Sequence, residues 1–164
     1  MMMREMSRWG VGPSIVLSAV AYAVIAGLAT WLWPNICLVT AVPSIVFMVA
    51  GIVLLVIGIP MLIVAGRAAT SAYNSDKLAT TGIFGLTRNP IYSAWIVFII
   101  PGLVLMNRSW PLLLTPVVAY IIFKVKIRRE NDYLERQFGD EYKKYKAEVN
   151  ELVPLPRFGN RLYY

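Results

Sequence analysis

The sequence predicts an all-α, polytopic membrane protein with four transmembrane helices, a short C-terminal hairpin and an amphipathic cytoplasmic C-terminal helix. Hydrophobic residues make up 58% of the 164-residue chain and charged residues 15%, against roughly 25% charged in an ordinary soluble domain. No charged residue falls between Arg8 and Arg67, although a helix needs only about 20 apolar residues to cross a bilayer. The length predicts a single domain, residues 1–164.

The first part of the chain, residues 1–66, predicts an N-terminal transmembrane hairpin. Its uncharged run is long enough for two spans, which we place at Ile15–Trp33 and Val42–Ala65. The sequence between them contains turn-forming residues and no charge. We expect Pro60 to kink the second span, because proline frees a backbone carbonyl inside a helix.

A second apolar stretch, residues 89–123, predicts the other two spans. Its only charge is Arg108, and its prolines argue against one long helix. We therefore expect two short spans, Ile91–Met106 and Trp110–Phe123, joined by a turn around Arg108. Each is shorter than a comfortable span, so the bilayer must thin locally or nearby lysines must snorkel.

The basic residues predict the orientation in the membrane. With four spans, Arg108 is the only one of the 16 Lys and Arg residues on the face with the two hairpin turns. The other 15 lie in the N-terminus, the 66–90 loop and the C-terminal tail. The positive-inside rule places both termini in the cytoplasm, with the cell membrane as the default location.

The tail from Arg128 onward predicts an amphipathic helix, with Gly139 as an interruption. Apolar side chains recur in steps of three or four residues, as on one face of a helix. Two interpretations are open: the helix lies on the membrane surface, or it covers a cytoplasmic site as a lid. The residues of this apolar face are Leu134, Phe138, Tyr142, Tyr145, Val149 and Leu152.

The composition also excludes several chemistries. The chain has no histidine and a single cysteine, Cys37. These counts exclude a Ser-His-Asp triad, a histidine-liganded metal and an intrachain disulfide, and we expect no metal site. The predicted spans contain no ionisable residue in their middle, which argues against an ion-coupled transporter. The net charge of +7 flanks apolar segments, so we attribute it to topology and expect no nucleic-acid partner.

Polar residues concentrate in two segments at the predicted cytoplasmic edge. One is the loop at residues 80–92, and the other is the exit of the fourth span at residues 128–132. Because an antiparallel hairpin returns the chain to the same face, we expect Arg88 and Glu130 to be neighbours.

These segments contain an ordered motif. The pattern Thr-Gly-x-x-x-x-Thr-Arg-Asn-Pro-x-Tyr at residues 81–92 precedes the short hairpin, Phe-Gly-Asp-Glu-Tyr-x-x-Tyr follows at residues 138–145, and Val153-Pro154 closes the pattern. The ordered set resembles the integral membrane methyltransferases, which include isoprenylcysteine carboxyl methyltransferase and the phospholipid N-methyltransferases. The resemblance covers residues 78–156, the cofactor-binding loop, hairpin and C-terminal helix; the first two spans match only in being apolar.

The resemblance implies S-adenosyl-L-methionine as methyl donor at the cytoplasmic end of the last hairpin, with S-adenosyl-L-homocysteine as product. A lipophilic small molecule or lipid would enter sideways from the membrane. The chain departs from the family pattern at Asn89, where the carboxyl methyltransferases commonly have histidine. It departs again at Asn131, where the family has a second glutamate. The first departure weakens a carboxyl acceptor, and the second leaves room for a relative that binds cofactor without activity.

The residue types suit this cofactor. Arg88 can hold a carboxylate bidentately, and Glu130 can accept from an ammonium, a ribose hydroxyl pair or the proton of an amine acceptor. We expect these two residues to be catalytic. Glycines permit close backbone approach, an amide offers both donor and acceptor, and aromatic rings can face the adenine or the cationic sulfur. The predicted cofactor-binding set is Gly82, Gly85, Arg88, Asn89, Tyr92, Trp95 and Glu130.

The predicted function is methyl transfer to a lipophilic membrane acceptor, of the isoprenylcysteine carboxyl methyltransferase kind. One alternative is N-methylation of an ethanolamine-type phospholipid. Another is a non-catalytic transporter or lipid-binding scaffold. The oligomeric state is open, since Gly51 and Gly58 can pack helices closely within one chain or between two.

Overall fold

The computed structural model describes residues 12–75 and 77–155, with side chains except at residues 73–75. The regular elements in these ranges are helices, and the only strand-like pairing among them is an isolated bridge between Leu38 and Ser109. The all-α prediction is confirmed. The predicted cytoplasmic N-terminus and the end of the chain from residue 156 lie outside the described residues.

The first half contains two long apolar helices. Helix α1 spans Gly12–Leu32 and matches the predicted first span, and a single turn, α2, follows at Pro34–Cys37. Helix α3 spans Ser44–Ser75 and continues through Pro60. Both long helices have the length and hydropathy to cross a membrane.

The predicted end of the second span was wrong by ten residues. We placed it at Ala65 and assigned the following residues to a cytoplasmic loop, whereas α3 continues to Ser75. The extension is rich in alanine, the residue with the highest helix propensity. A charge such as Arg67 ends an apolar segment but does not end a helix, so hydropathy marked the end of the apolar run only.

The third apolar segment is helical over Pro90–Leu105, close to the predicted Ile91–Met106. It consists of α4 at Pro90–Ser93, a π-helical stretch at Ala94–Ile99 and α5 at Ile100–Leu105. Pro101 follows the π-helical stretch and has no backbone N–H to donate to the preceding turn. A wider turn before it relieves the contact between its ring and the carbonyl four residues earlier.

The last helix differs most from the prediction. A short 3₁₀ turn at Leu112–Leu114 leads into α6, which spans Thr115–Glu148. The fourth span was expected to begin at Trp110, but the helix begins five residues later, where Pro116 lies in its first turn and costs no hydrogen bond. The first part of the tail, up to Phe138, continues this helix, and a second helical segment follows Gly139. The chain changes direction at Gly139, whose φ of 53° and ψ of −125° are non-helical, as the predicted interruption required.

Helices α1 and α6 form the core that supports the polar end of the molecule. Their buried side chains pack with the π-helical stretch and with Leu152, which lies in the segment after α6. The members of this cluster are Ile15, Ala19, Ile96, Ala119, Phe123, Ile127 and Leu152. Because Leu152 is part of it, the segment after the last helix is anchored in the core.

Helix α3 packs against α5 and the π-helical stretch through glycines. A Cβ atom on Gly51 would lie 2.6 Å from the carbonyl oxygen of Gly102, and one on Gly58 would lie 2.7 Å from Cβ of Phe98. These distances are far below ordinary contact distances, so only glycine permits this approach. The close packing of both glycines is therefore within the chain.

The end of the bundle opposite the polar segments is closed by hydrogen bonds between the two hairpin turns. Val39 N donates to Arg108 O at 2.8 Å, and Trp110 N donates to Cys37 O at 3.1 Å. Thr30 and Ser109 share a hydroxyl hydrogen bond of 2.6 Å. These bonds fix the register of the hairpins at one end, and hence the positions of the polar segments at the other.

The outer faces of α1 and α3 are apolar and exposed. Leu17 is 72% exposed and Val56 is 66% exposed. Soluble monomers rarely show contiguous apolar surface on this scale. A bilayer around these helices accounts for it.

Candidate functional site

The loop before α4 is bound by the segment that follows α6, residues 149–153, which we call the strap. Arg88 N donates to Asn150 O at 2.8 Å, and Asn89 Nδ2 donates to Glu151 O at 2.9 Å. Thr87 Oγ1 also donates to Glu151 O, at 3.2 Å. Because these bonds end on strap carbonyls, the geometry of the loop depends on the chain's last described segment.

Arg88 lies in the middle of this arrangement and is almost buried. Its side chain is 8% exposed, and its Nη2 lies 3.8 Å from Oε1 of Glu151. Its Nε and Nη1 atoms are buried and have no hydrogen-bond partner within the described residues. An unsatisfied buried donor costs about 1–3 kcal/mol, more when charged. A bound anion would satisfy both atoms.

Glu151 is the residue that the sequence reasoning missed. Its carboxylate pairs with Arg88 and with Lys124 of α6, and accepts a hydrogen bond from Asn131 Nδ2 at 3.5 Å. The available signal was its isolation: it is the only acid in the chain after Glu148, beside the Val153-Pro154 that closes the motif. The sequence prediction considered only the acidic residues close to the hairpin, and Glu151 lies beyond them.

Glu130 of α6 contacts α4, the helix that follows the loop. The hydroxyl of Tyr92 donates to Glu130 Oε1 at 3.0 Å, and the Tyr92 ring packs on Phe123 with centroids 5.4 Å apart. The two polar segments therefore do meet at one end of the bundle. Arg88 pairs with Glu151, which in turn accepts from Asn131, next to Glu130 on α6.

Two buried tyrosines hold the helical segment that follows Gly139, which we call the tail helix, against this site. Tyr142 donates to Asn131 Oδ1 at 2.6 Å, and Tyr145 donates to Phe84 O at 2.7 Å. Burial raises the pKa of both phenols, although the nearby Arg88 guanidinium partly opposes this. Both hydroxyls therefore remain donors at neutral pH.

The remaining predicted residues lie around this cluster. Gly82 and Gly85 are exposed ends of a 3₁₀ turn, and Gly82 has φ +61°, a conformation that favours glycine. Trp95 is half-buried in the π-helical stretch. The structure therefore brings Arg88 and Asn89 together with the Tyr92–Glu130 pair, and the hydrogen bonds described above do not join Gly82, Gly85 or Trp95 to them.

The site has the charges of a receptor for a small zwitterion. It combines the buried guanidinium of Arg88 with the carboxylates of Glu130 and Glu151. Across residues 12–75 and 77–155, no cluster of three or more His, Cys, Asp or Glu side chains is suited to hold a metal ion.

Comparison with known proteins relates the chain to a family. The sequence profile of the phospholipid methyltransferase family matches residues 39–141. A protein-S-isoprenylcysteine O-methyltransferase of Schizosaccharomyces pombe is 31% identical over 86 residues, which are 52% of this chain and 36% of the relative. Protein-S-isoprenylcysteine O-methyltransferase B of Arabidopsis thaliana is 29% identical over 98 residues, 57% of this chain and 50% of the relative.

The alignments span about a third to a half of these relatives' own length. No solved structure is significantly similar to the chain. The family profile nevertheless covers the long helix α3, the loop with Arg88 and most of α6, and it confirms the resemblance carried by the motif. Because this match extends over more than half of its length, the chain belongs to the phospholipid methyltransferase family.

Proposed function

We propose that the protein is an S-adenosylmethionine-dependent membrane methyltransferase that methylates a lipophilic acceptor of the isoprenylcysteine carboxylate kind. The observation that carries the proposal is the buried Arg88, whose Nε and Nη1 have no acceptor among the described residues at the point where the loop, α6 and the strap meet. The names of the relatives, protein-S-isoprenylcysteine O-methyltransferases, support the choice of acceptor.

The residues present fit the proposed cofactor. Its carboxylate would satisfy the two buried donors of Arg88. Glu130, held by Tyr92, would accept from ribose hydroxyls. The hydrogen bond from Asn89 Nδ2 to the strap fixes the orientation of the Asn89 side-chain amide. When bound, the cofactor supplies an electrophilic methyl group, whose bond to sulfur breaks as the acceptor's lone pair forms the new bond, with S-adenosylhomocysteine as the leaving group.

The chain's own contribution to the reaction would be alignment and exclusion of water. The helical segment after Gly139, held through Tyr142 and Tyr145, would cover the site and keep water out. A carboxylate acceptor is already nucleophilic and needs no base. An amine acceptor must lose a proton, which Glu130 would take.

We propose four spans with both termini in the cytoplasm. Helices α1 and α3 would be the first two spans, Pro90–Leu105 the third and the first part of α6 the fourth. The segregation of basic residues supports this orientation. A C-terminal green fluorescent protein fusion should fluoresce, and a C-terminal alkaline phosphatase fusion should be inactive; the opposite pair of results would reject the topology.

Binding of S-adenosylhomocysteine to detergent-purified protein, measured by calorimetry, tests the cofactor. We expect one saturable site whose affinity falls at least about tenfold in Arg88→Met and in Glu130→Gln, since each loses a charge-assisted hydrogen bond. The matched controls are Arg136→Met and Glu148→Gln, which lie on the exposed face of α6. Unchanged affinity in both site variants, with samples shown to be folded, would reject the site.

A second candidate is N-methylation of a phospholipid, which the description of the matching family favours. Transfer of a labelled methyl group to a farnesylated cysteine and to phosphatidylethanolamine vesicles separates the two. Alkali releases methanol from a methyl ester but leaves an N-methyl group intact. We expect an alkali-labile product from the farnesylated cysteine. Cofactor binding without transfer to either would favour a non-catalytic relative, and substrate-dependent ion flux in proteoliposomes would favour a transporter.

A further inference from the structure

We propose that Glu151 of the strap binds the ammonium group of the cofactor, and that with Arg88 it forms the receptor for the cofactor's amino-acid end. The inference rests on the proposed function. It assigns to Glu151 a role that the sequence pattern gave to Glu130, and it makes the strap part of the binding site.

The spacing of Arg88 and Glu151 is the first argument. Their nearest charged atoms, Nη2 and Oε1, lie 3.8 Å apart. In an α-amino acid the ammonium nitrogen and the carboxylate oxygens lie about 3 Å apart by covalent geometry. A zwitterion could therefore bind alongside this pair with its carboxylate against Arg88 and its ammonium against Glu151. Nε and Nη1 of Arg88, which have no acceptor among the described residues, are the donors available to its carboxylate.

The Glu151 carboxylate can also accept a further hydrogen bond. A carboxylate has about four lone-pair positions. Oε2 takes Lys124, while Oε1 faces Arg88 and accepts from Asn131 at 3.5 Å. The last two contacts are long, so Oε1 can accept a short hydrogen bond from an ammonium without losing Lys124. The side chain is 21% exposed against 8% for Arg88, which leaves it accessible to a ligand.

Glu130 and Glu151 are held in place by different contacts. Glu130 is bonded to Tyr92, on the side of α6 that packs in the core cluster. Glu151 is fixed at its backbone by Thr87 and Asn89, on either side of Arg88. The acid that is tied to the arginine loop is therefore Glu151.

The test compares three ligands that differ only in the amino-acid end. S-adenosylhomocysteine has both charges, its decarboxylated form keeps only the ammonium, and methylthioadenosine has neither. Each is titrated calorimetrically into the full-length protein and the variants Glu151→Gln, Arg88→Met and Asp140→Asn. The last is the control, because the Asp140 side chain is 97% exposed and pairs only with Lys143 among its described partners.

We expect Glu151→Gln to weaken S-adenosylhomocysteine and its decarboxylated form by about ten- to a hundredfold, the worth of a charge-assisted hydrogen bond. It should leave methylthioadenosine unchanged. Arg88→Met should weaken only the ligand with a carboxylate, and Asp140→Asn none of the three. Glu151→Gln keeps the backbone bonds of the strap, so the variant should fold, and an unchanged affinity for methylthioadenosine demonstrates that it has.

Other results would overturn the inference. If Glu151→Gln weakens S-adenosylhomocysteine but not its decarboxylated form, Glu151 acts only by orienting Arg88. If it tightens S-adenosylhomocysteine, Glu151 competes with the ligand carboxylate for Arg88. Equal weakening of all three ligands would indicate a structural role. Failure of the wild type to bind any of them would refute the proposed function itself, which is a separate outcome.

Discussion

Replacing Gly51 by alanine is a direct test of how α3 packs on α5. The new Cβ atom would lie 2.6 Å from Gly102 O and 2.7 Å from Cγ of Met106. The methionine side chain can move, but the backbone oxygen can move only if the two helices separate. Gly66→Ala is the matched control, because Gly66 is in the same helix and, among the described residues, no atom beyond its neighbouring helix backbone lies within 4 Å of the position of its Cβ.

The magnitude follows from two opposing effects. Overpacking a close contact costs about 1–3 kcal/mol, and alanine gains about 1 kcal/mol over glycine in a helix. Because the clash at Gly51 involves backbone, we take the upper end of the cost and expect a net loss of about 1–2 kcal/mol. For a chain of this size that lowers Tm by about 2–8 °C. Gly66→Ala has only the helix gain and should raise Tm slightly.

The chain provides its own probe for this measurement. Cys37 is its single thiol and is 5% exposed, so a dye that fluoresces on reaction with a thiol reports unfolding during a thermal ramp in detergent. The reasoning is refuted if Gly51→Ala and Gly66→Ala shift Tm in the same direction by similar amounts. That result would mean that α3 and α5 do not approach as closely as the structure has them.

Three further predictions concern the tail helix. Tyr145→Phe removes the hydrogen bond to Phe84 O and should cost about 0.5–1.5 kcal/mol, seen as a lower Tm; an unchanged Tm would mean that the bond contributes nothing. Gly139→Ala places a side chain at φ +53° and ψ −125°, which costs about 1–3 kcal/mol, so Tm should fall while Gly27→Ala, in open space, leaves it level or higher. Burial raises the pKa of Tyr142 and Tyr145, so their contribution to stability is complete below the unfolded pKa of about 10 and is lost as pH rises through the folded values. A Tm series from pH 8 to 11 should therefore decline at its alkaline end, and Phe at both positions should flatten that decline; an equal slope in the double variant would contradict the assignment.

The apolar pattern predicted the helical skeleton well because hydropathy acts locally. The uncharged run before Arg67 was enough to place α1, and Pro90 was enough to place the start of the third helix. The same reasoning failed at the end of α3 and the start of the tail. Helix propensity continues past a charge at Arg67, and α6 continues past Arg128 because a change from apolar to charged residues does not by itself end a helix.

The meeting of the two polar segments was predicted for a similar reason. The motif around Arg88 and the charge at Glu130 are visible in sequence, and the hydrogen bond from Tyr92 to Glu130 joins their segments. Glu151 carries no such local signal. Its position beside Arg88 comes from backbone bonds to Thr87 and Asn89, more than sixty residues away in the chain.

Residue order alone predicted an all-helical chain with apolar segments suited to a membrane and its charges mostly outside them, since burial of apolar surface and the cost of a charge in lipid are properties of each segment. Which acid faces Arg88 was decided by the tertiary structure. Leu152 is buried in the core between α1 and α6, and its burial brings the neighbouring Glu151 against the arginine. An ion pair between distant segments depends on the packing that brings them together, and that packing is a property of the whole fold.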